Sequence, residues 1–95
     1  MEIVRRDRLI EFAQKHPNAR SSLNRWYNLM QERNFGSFAE LRSLFPHVSR
    51  VGKLTIFNIA GNNVRLIVSM RYDEKRVYIR HVLTHAEYDK GKWKE

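Results

Sequence analysis

The sequence predicts an α+β fold in which two N-terminal helices pack on one face of an antiparallel sheet of three to four strands. In the first half of the chain, apolar residues recur every three or four positions, which is the helical period. After Gly52 they recur at every second position, the period of a strand. Because 95 residues supply one apolar core and not two, we expect a single domain over residues 1–95, with 91–95 as a loose basic tail.

The first helix is predicted to run from Asp7, a suitable N-cap, to about Lys15, and a short strand at residues 1–5 precedes it. Pro17 marks its end, because proline has no amide hydrogen to continue a helix. Its apolar stripe consists of Leu9, Phe12 and Ala13. This spacing indicates that one side of the helix is buried.

A second helix is predicted at about residues 19–33, and a shorter one at 38–44 with Ser37 as its cap. Trp26 and Tyr27 resemble a stacking platform for nucleic-acid bases. They belong, however, to the apolar stripe of the second helix. Core packing is therefore the favoured interpretation.

Three strands are predicted in the second half, at residues 54–59, 64–71 and 76–83. The segments between them, 61–63 and 72–75, are rich in residues typical of hairpin turns. The strands should form an antiparallel meander, which the N-terminal strand can join.

Alternation assigns the side chains of the second and third strands to two faces. The set expected to face the helices is Val64, Leu66, Val68, Met70, Val77, Ile79 and Leu83. The set expected on an uncovered face is Arg65, Ile67, Ser69, Arg71, Tyr78 and Arg80. We expect Arg65 and Arg80 to lie close together there, on a surface suited to a phosphate backbone.

The charge of the chain points to an acidic partner. Eighteen Lys and Arg against ten Asp and Glu give a net charge of +8 and a sequence pI near 10.3. Nucleic acid is the first candidate, an acidic protein the second, and a membrane surface is not expected. No apolar run approaches the roughly 20 residues of a membrane span, and cysteine is absent. A cytoplasmic location is the expectation, and thiolate chemistry is excluded.

The residues best suited to chemistry lie between Thr84 and Lys90. Cleavage of RNA without a metal ion needs a proton acceptor for the ribose 2′-hydroxyl, a proton donor for the leaving oxygen, and cations near the phosphate. His85 suits the proton steps, and Tyr88 follows it by one helical turn. The alternatives are that His85 is a surface histidine and Tyr88 an apolar closing residue. Asp89 and Glu87 are candidates to orient the histidine, and the alternative is that both are simply solvated acids beside a lysine.

Three other histidines have less distinctive settings. His81 falls on the apolar face by strict alternation, so a core or edge position is favoured. His16 is expected at a helix C-terminus, where the helix dipole favours a cation, and His47 follows a proline in a loop. The chain has no His-Glu-x-x-His pattern, paired-carboxylate cluster or phosphate-binding glycine loop. We therefore expect no metal site and no cofactor.

Several segments together resemble the HigB-type toxins of bacterial toxin–antitoxin modules, within the RelE-like mRNA interferases. They are residues 16–19, 26–27, 57–62, 65–66, 78–80 and, most specifically, 84–90. The resemblance spans almost the whole chain. It implies a small basic α+β endoribonuclease that cuts mRNA without a metal ion, commonly at the ribosome. It also implies a cognate antitoxin, usually a helix-turn-helix DNA-binding protein.

The resemblance also implies which residues form the site. Combined with the predicted uncovered face, it assigns catalysis to Arg65, Arg80, His85 and Tyr88. RNA binding is assigned to Arg50, Lys53, Asn58, Asn62, Arg71, Tyr78 and Lys90. Two other classes remain open: a non-catalytic RNA- or ribosome-binding module with a basic sheet face, and a domain that binds an acidic protein.

Overall fold

The computed structural model describes residues 1–61 and 63–94, and within them it contains one sheet and four α-helices. The strands are β1 (Glu2–Val4), β2 (Ser49–Val51), β3 (Leu54–Ile59), β4 (Val64–Arg71) and β5 (Arg76–Thr84). The helices are α1 (Asp7–Lys15), α2 (Arg20–Glu32), α3 (Phe38–Leu44) and α4 (His85–Asp89), with single 3-10 turns at Pro17–Ala19 and Lys92–Lys94.

The sheet is mixed and five-stranded, in the order β1-β5-β4-β3-β2. The predicted meander forms β3, β4 and β5, and β1 joins it parallel to β5. The predicted strand number of three to four was therefore too low. The missed strand β2 has only three residues, all exposed, so it has no burial period for alternation to detect.

The two long helices cover one face of the sheet, as predicted. The α1 stripe of Leu9, Phe12 and Ala13 and the α2 stripe of Leu23, Trp26 and Met30 are buried. Trp26 is 1% exposed, which confirms core packing. Ser37 caps α3 by accepting a hydrogen bond from the Glu40 amide at 3.3 Å. Asp7 is the first helical residue rather than the cap, and its carboxylate instead accepts hydrogen bonds from Arg5.

A β-bulge interrupts the pairing of β4 with β5. Ile67 pairs with His81 and Val68 with Ile79, which leaves Arg80 as the extra residue of β5. A bulge of this kind re-aims side chains on the longer strand. The strict alternation assumed from the sequence therefore fails after Ile79.

The bulge changes the assignment of Leu83. Instead of facing the helices, its side chain packs with Ile56, Ile67 and Trp93 on the opposite side of the sheet. The prediction that Leu83 faces the helices was wrong because the bulge shifts the alternation of β5. His81 pairs with Ile67 and lies on the part of β5 that β1 does not pair, so the half-buried histidine has the expected edge position.

The C-terminal segment folds back onto the sheet. Trp93 is 5% exposed and packs on Ile56 and Ile67. The prediction of a loose tail is therefore wrong as far as Lys94. Glu95 lies outside the described residues. Across the described ranges, no helix has both the length and the apolar character to cross a membrane.

Candidate functional site

The face of the sheet opposite α1 and α2, here called the open face, has two regions. At one end, the hairpin that joins β2 to β3 and the far ends of β4 and β5 border a cleft of about 750 Å³. At the other end, α4 and the 3-10 turn at Lys92–Lys94 pack over β3 and β4. We call these regions the basic cleft and the C-terminal platform.

The basic cleft unites five residues that the sequence singled out. They are Arg50, Lys53, Arg71, Tyr78 and Arg80, and Ser69 lines the cleft beside them. Arg71, Arg80 and Lys53 are exposed, so their charges face solvent. Residues far apart in the chain thus place four cationic side chains around one concavity.

Arg80 is held in the cleft by its neighbours. Its Nε donates a hydrogen bond to Ser69 Oγ at 3.0 Å, and its guanidinium carbon lies 5.7 Å from the centre of the Tyr78 ring. Its backbone carbonyl accepts a hydrogen bond from Arg8 Nη1. As the extra residue of the bulge, Arg80 is both anchored at its backbone and oriented along the open face.

Arg50 reaches the cleft from the edge strand β2. Its guanidinium carbon lies 4.6 Å from the centre of the Phe38 ring, a cation–π contact that restrains the long side chain. Nearby, burial raises the pKa of Tyr72, and the charge of Arg50 opposes this shift. Tyr72 therefore remains a neutral phenol in the wall of the cleft.

The C-terminal platform is built on Arg65. Arg65 is only 8% exposed, and its guanidinium carbon lies 5.2 Å from the centre of the Tyr88 ring. Tyr88 stacks in turn on Trp93, with 5.0 Å between ring centres and 9° between planes. Trp93 Nε1 donates a hydrogen bond to the Tyr88 carbonyl at 2.9 Å. Arg65 is on the predicted face, but it is covered rather than uncovered, because the C-terminal segment packs above it.

A capping box fixes the start of α4. Thr84 Oγ1 accepts a hydrogen bond from the Glu87 amide at 3.2 Å, and Glu87 Oε1 accepts one from the Thr84 amide at 2.9 Å. The Thr84 amide lowers the pKa of Glu87, because it stabilises the carboxylate. The Thr-x-x-Glu pattern is the sequence signature of such a helix start, and no helix was predicted from it.

His85 is the first residue of α4, and its side chain is 52% exposed. Its Nδ1 lies 2.9 Å from Asp89 Oδ2, one helical turn away. Of the two acids considered from sequence, Asp89 is therefore the one beside the imidazole, and Glu87 serves the capping box. This arrangement leaves Nε2 as the second nitrogen of an oriented and accessible imidazole.

A family model described as HigB toxin, the RelE-like toxic component of a toxin–antitoxin system, matches residues 19–91. The chain belongs to the HigB toxin family. The mRNA interferase HigB of Escherichia coli O6:H1 (strain CFT073) is 32% identical over 93 residues, which cover 95% of this chain and 90% of that protein. The mRNA interferase toxin HigB of E. coli K12 and the mRNA interferase HigB of Shigella flexneri are each 28% identical over 92 residues, covering 94% of this chain and 88% of theirs.

The part matched by the HigB model includes the basic cleft and all of α4, whereas Trp93 lies just beyond it. Sequence reasoning missed Trp93 and treated it as tail. Trp93 could have been noticed as a large aromatic residue in an otherwise polar segment, because such a residue usually has a buried contact. Ser69, the partner of Arg80, was assigned to the correct face but given no role.

The structure does not bring all predicted site residues together. Asn58 is exposed and pairs across the sheet with Arg65, at the C-terminal platform. Arg80 is bulged opposite Ile67 and Val68, two to three residues along β4 from Arg65. Its side chain is bonded to Ser69, which is four residues and roughly 13 Å of backbone from Arg65. The two arginines share a face but not a location. Lys90 is exposed at the end of α4, and Asn62 lies outside the described residues.

The remaining histidines are elsewhere. His81 lines a pocket of about 240 Å³ with Arg8, His16 and Glu87 among others. Burial lowers its pKa, and the charges of Arg8 and Arg80 add to the effect. His16 caps the end of α1 and stacks on Phe12 with 4.4 Å between ring centres. Among the residues that the structure describes, no group of three or more potential metal ligands is assembled.

Proposed function

We propose that this HigB-family chain is an endoribonuclease that cleaves mRNA without a metal ion, in association with the ribosome, and thereby inhibits translation and growth. The observation that supports this most directly is the open face itself. A cleft with four cationic side chains borders this face, and α4, which carries an imidazole paired with a carboxylate, packs against the same face through Tyr88. The names of the relatives, mRNA interferases, agree with this assignment.

In the proposed reaction the basic cleft holds the RNA backbone. Phosphate contacts of this kind fix the position of a strand without reading its sequence. Arg50, Lys53, Arg71 and Tyr78 would bind phosphates or sugars, with Asn58 and Lys90 extending the surface toward α4. Asn62 is proposed as a further RNA contact on the family resemblance alone. Arg80, fixed by Ser69, is suited to hold the phosphate at which cleavage occurs.

His85 would move a proton through Nε2. With Nδ1 held by Asp89, the imidazole has one defined orientation, as in other catalytic histidines paired with a carboxylate. The 2′-oxygen attacks phosphorus, the bond from phosphorus to the 5′-oxygen breaks, and one proton leaves the 2′-oxygen while another reaches the 5′-oxygen. Arg65 and Tyr88 would stabilise the charge on the phosphate from the platform.

The proposed partner in the cell is a cognate antitoxin of the helix-turn-helix class. Membership of the toxin family implies an antitoxin, and the +8 charge favours an acidic contact surface on it. A cytoplasmic location follows from a substrate and a partner found there. No cofactor is required by the proposed chemistry.

One observation favours the alternative of a non-catalytic RNA- or ribosome-binding module. Tyr88 has an evident packing role, because its ring is stacked on Trp93 and lies over Arg65. A phenol used in packing need not take part in chemistry. The two functions differ in whether RNA is cut.

The test is inducible expression of the chain with and without the neighbouring gene product, followed by primer extension on a reporter transcript. New 5′ ends that appear only when the chain is expressed alone would support the endoribonuclease. Growth arrest with an intact transcript would favour the binding module. Tyr88→Phe then separates the hydroxyl from the ring, since this variant keeps the stack on Trp93.

A further inference from the structure

The outer side of the helical layer has a groove between α1 and α2 with a volume of about 240 Å³. Its floor consists of Leu9, Ala13 and Leu23, which are otherwise part of the core. Ile10 and Tyr27 form its walls. The groove is thus an apolar concavity between two helices, large enough for individual side chains and too small for a whole helix.

Ile10 is unusual on this surface. It is 49% exposed, and the only other large apolar side chain of comparable exposure in the described ranges is Val51, at 40%. Exposed apolar side chains are common singly. Ile10, however, borders a groove whose floor is also apolar, and such an arrangement is typical of a protein contact.

The charges at the groove are all positive. Arg6 and Arg20 line it, and no carboxylate does. The guanidinium carbon of Arg6 lies 4.5 Å from the centre of the Tyr27 ring, so this charge is held beside the apolar wall. An apolar side chain next to a carboxylate would complement both features of the groove.

We propose that this groove binds an acidic segment of a partner protein, which inserts an apolar side chain between α1 and α2. Under the proposed function this partner is the antitoxin, and that identity rests on the proposed function. RNA is a poorer occupant, since the groove offers two arginines beside an aliphatic floor of Leu9, Ala13 and Leu23. The groove is on the helical layer and the basic cleft is on the open face, so partner binding and RNA cleavage are separable by mutation.

The experiment measures binding of the full chain to the protein encoded beside its gene, by calorimetry at low salt. Ile10→Glu and Arg20→Glu should each weaken binding by about tenfold or more, as expected when a central contact of an interface is lost. Two matched controls should bind like the parent. Val51→Glu changes an equally apolar, exposed residue on the edge strand, and Arg25→Glu makes the same charge change on α2 outside the groove.

The outcomes separate this inference from the proposed function. If the parent chain binds and all four variants bind equally well, the groove is not the docking site, while the antitoxin remains. If the parent itself binds nothing, the groove inference and the antitoxin both fall, and primer extension still decides the nuclease. If Ile10→Glu weakens binding of a labelled reporter RNA but not of the protein, the occupant is RNA and the proposal is wrong.

Discussion

The basic cleft and the C-terminal platform lie on one face of one sheet, yet they differ in kind. The cleft has permanent charges on exposed side chains, with Arg80 as its best-held member. The platform has one buried arginine, two stacked aromatic rings and an imidazole beside a carboxylate. A guanidinium binds a phosphate but does not exchange protons near neutrality, whereas an imidazole does. The comparison therefore predicts that proton transfer depends on the platform, whereas RNA affinity depends on the exposed cations of the cleft.

The largest expected effect is that of His85→Ala at the platform. Loss of one positioned acid or base typically costs about 10²- to 10⁴-fold in rate, so cleavage of reporter RNA should fall by this amount while RNA affinity stays near the parent value. Asp89→Asn should give a smaller loss, because it removes only the orienting carboxylate. His47→Ala, a change at an exposed histidine in a loop, is the matched control. Cleavage at the parental rate by folded His85→Ala would remove His85 from the mechanism.

The second effect concerns the support of the platform. Trp93→Ala removes a side chain that is 5% exposed and should lower the free energy of unfolding by about 3 kcal/mol, near the lower end for buried aromatic residues. Cleavage should fall as well, because Tyr88, which lies over Arg65, loses the ring on which it is stacked.

Urea denaturation and the reporter assay measure these two quantities. Trp93→Phe is the control, since it keeps a stacking ring while it loses the hydrogen bond to the Tyr88 carbonyl and part of the buried ring system. An unfolding free energy for Trp93→Ala equal to that of the parent would show that the C-terminal segment does not hold the platform.

The third effect should be confined to the basic cleft. Arg71→Ala and Lys53→Ala each remove one phosphate contact, so the slope of log affinity against log salt should become shallower by about 0.7 for single-stranded RNA. The rate of cleavage at saturating RNA should change little. Titration of a labelled RNA at several salt concentrations measures the slope.

Arg42→Ala is the matched control for the cleft, because Arg42 is an exposed arginine on α3 outside it. If Arg42→Ala changes the slope as much as Arg71→Ala, the RNA is not bound in the cleft in particular. The division between the two regions would then be wrong.

The smallest effect is a pH dependence of stability from His81. Its pKa in the folded chain is lowered by burial and by Arg8 and Arg80, so the unfolded chain binds more protons as pH falls through about 6.5. Stability from this group is therefore complete above that pH and declines below it. His81→Gln should flatten this part of the stability curve, measured by urea denaturation between pH 7 and 5. An unchanged curve for His81→Gln would show that groups other than His81 cause any loss of stability at acidic pH.

The sequence by itself determined the periodic parts of this protein. The bounds of β3 and β4 agree with prediction, and α1 ends at the predicted Lys15, because each repeats an apolar pattern over six or more residues. It also determined which face of the sheet holds Tyr78 and Arg80. Tyr78 precedes the bulge and Arg80 is the bulged residue itself, so alternation still holds for both. The capping box of α4 is equally local, but its Thr-x-x-Glu signature was not used to predict a helix there.

The tertiary structure alone decided the rest. Strand β2 is defined by its pairing with β3, and the bulge by the register of β4 with β5, and neither leaves a period in the sequence. Arg65 is covered because Tyr88, 23 positions later, lies over it and is stacked in turn on Trp93. Local pattern records which side of its own element a residue is on, whereas its exposure depends on what another part of the chain places above it. That is why the open face was predicted and its division into a cleft and a platform was not.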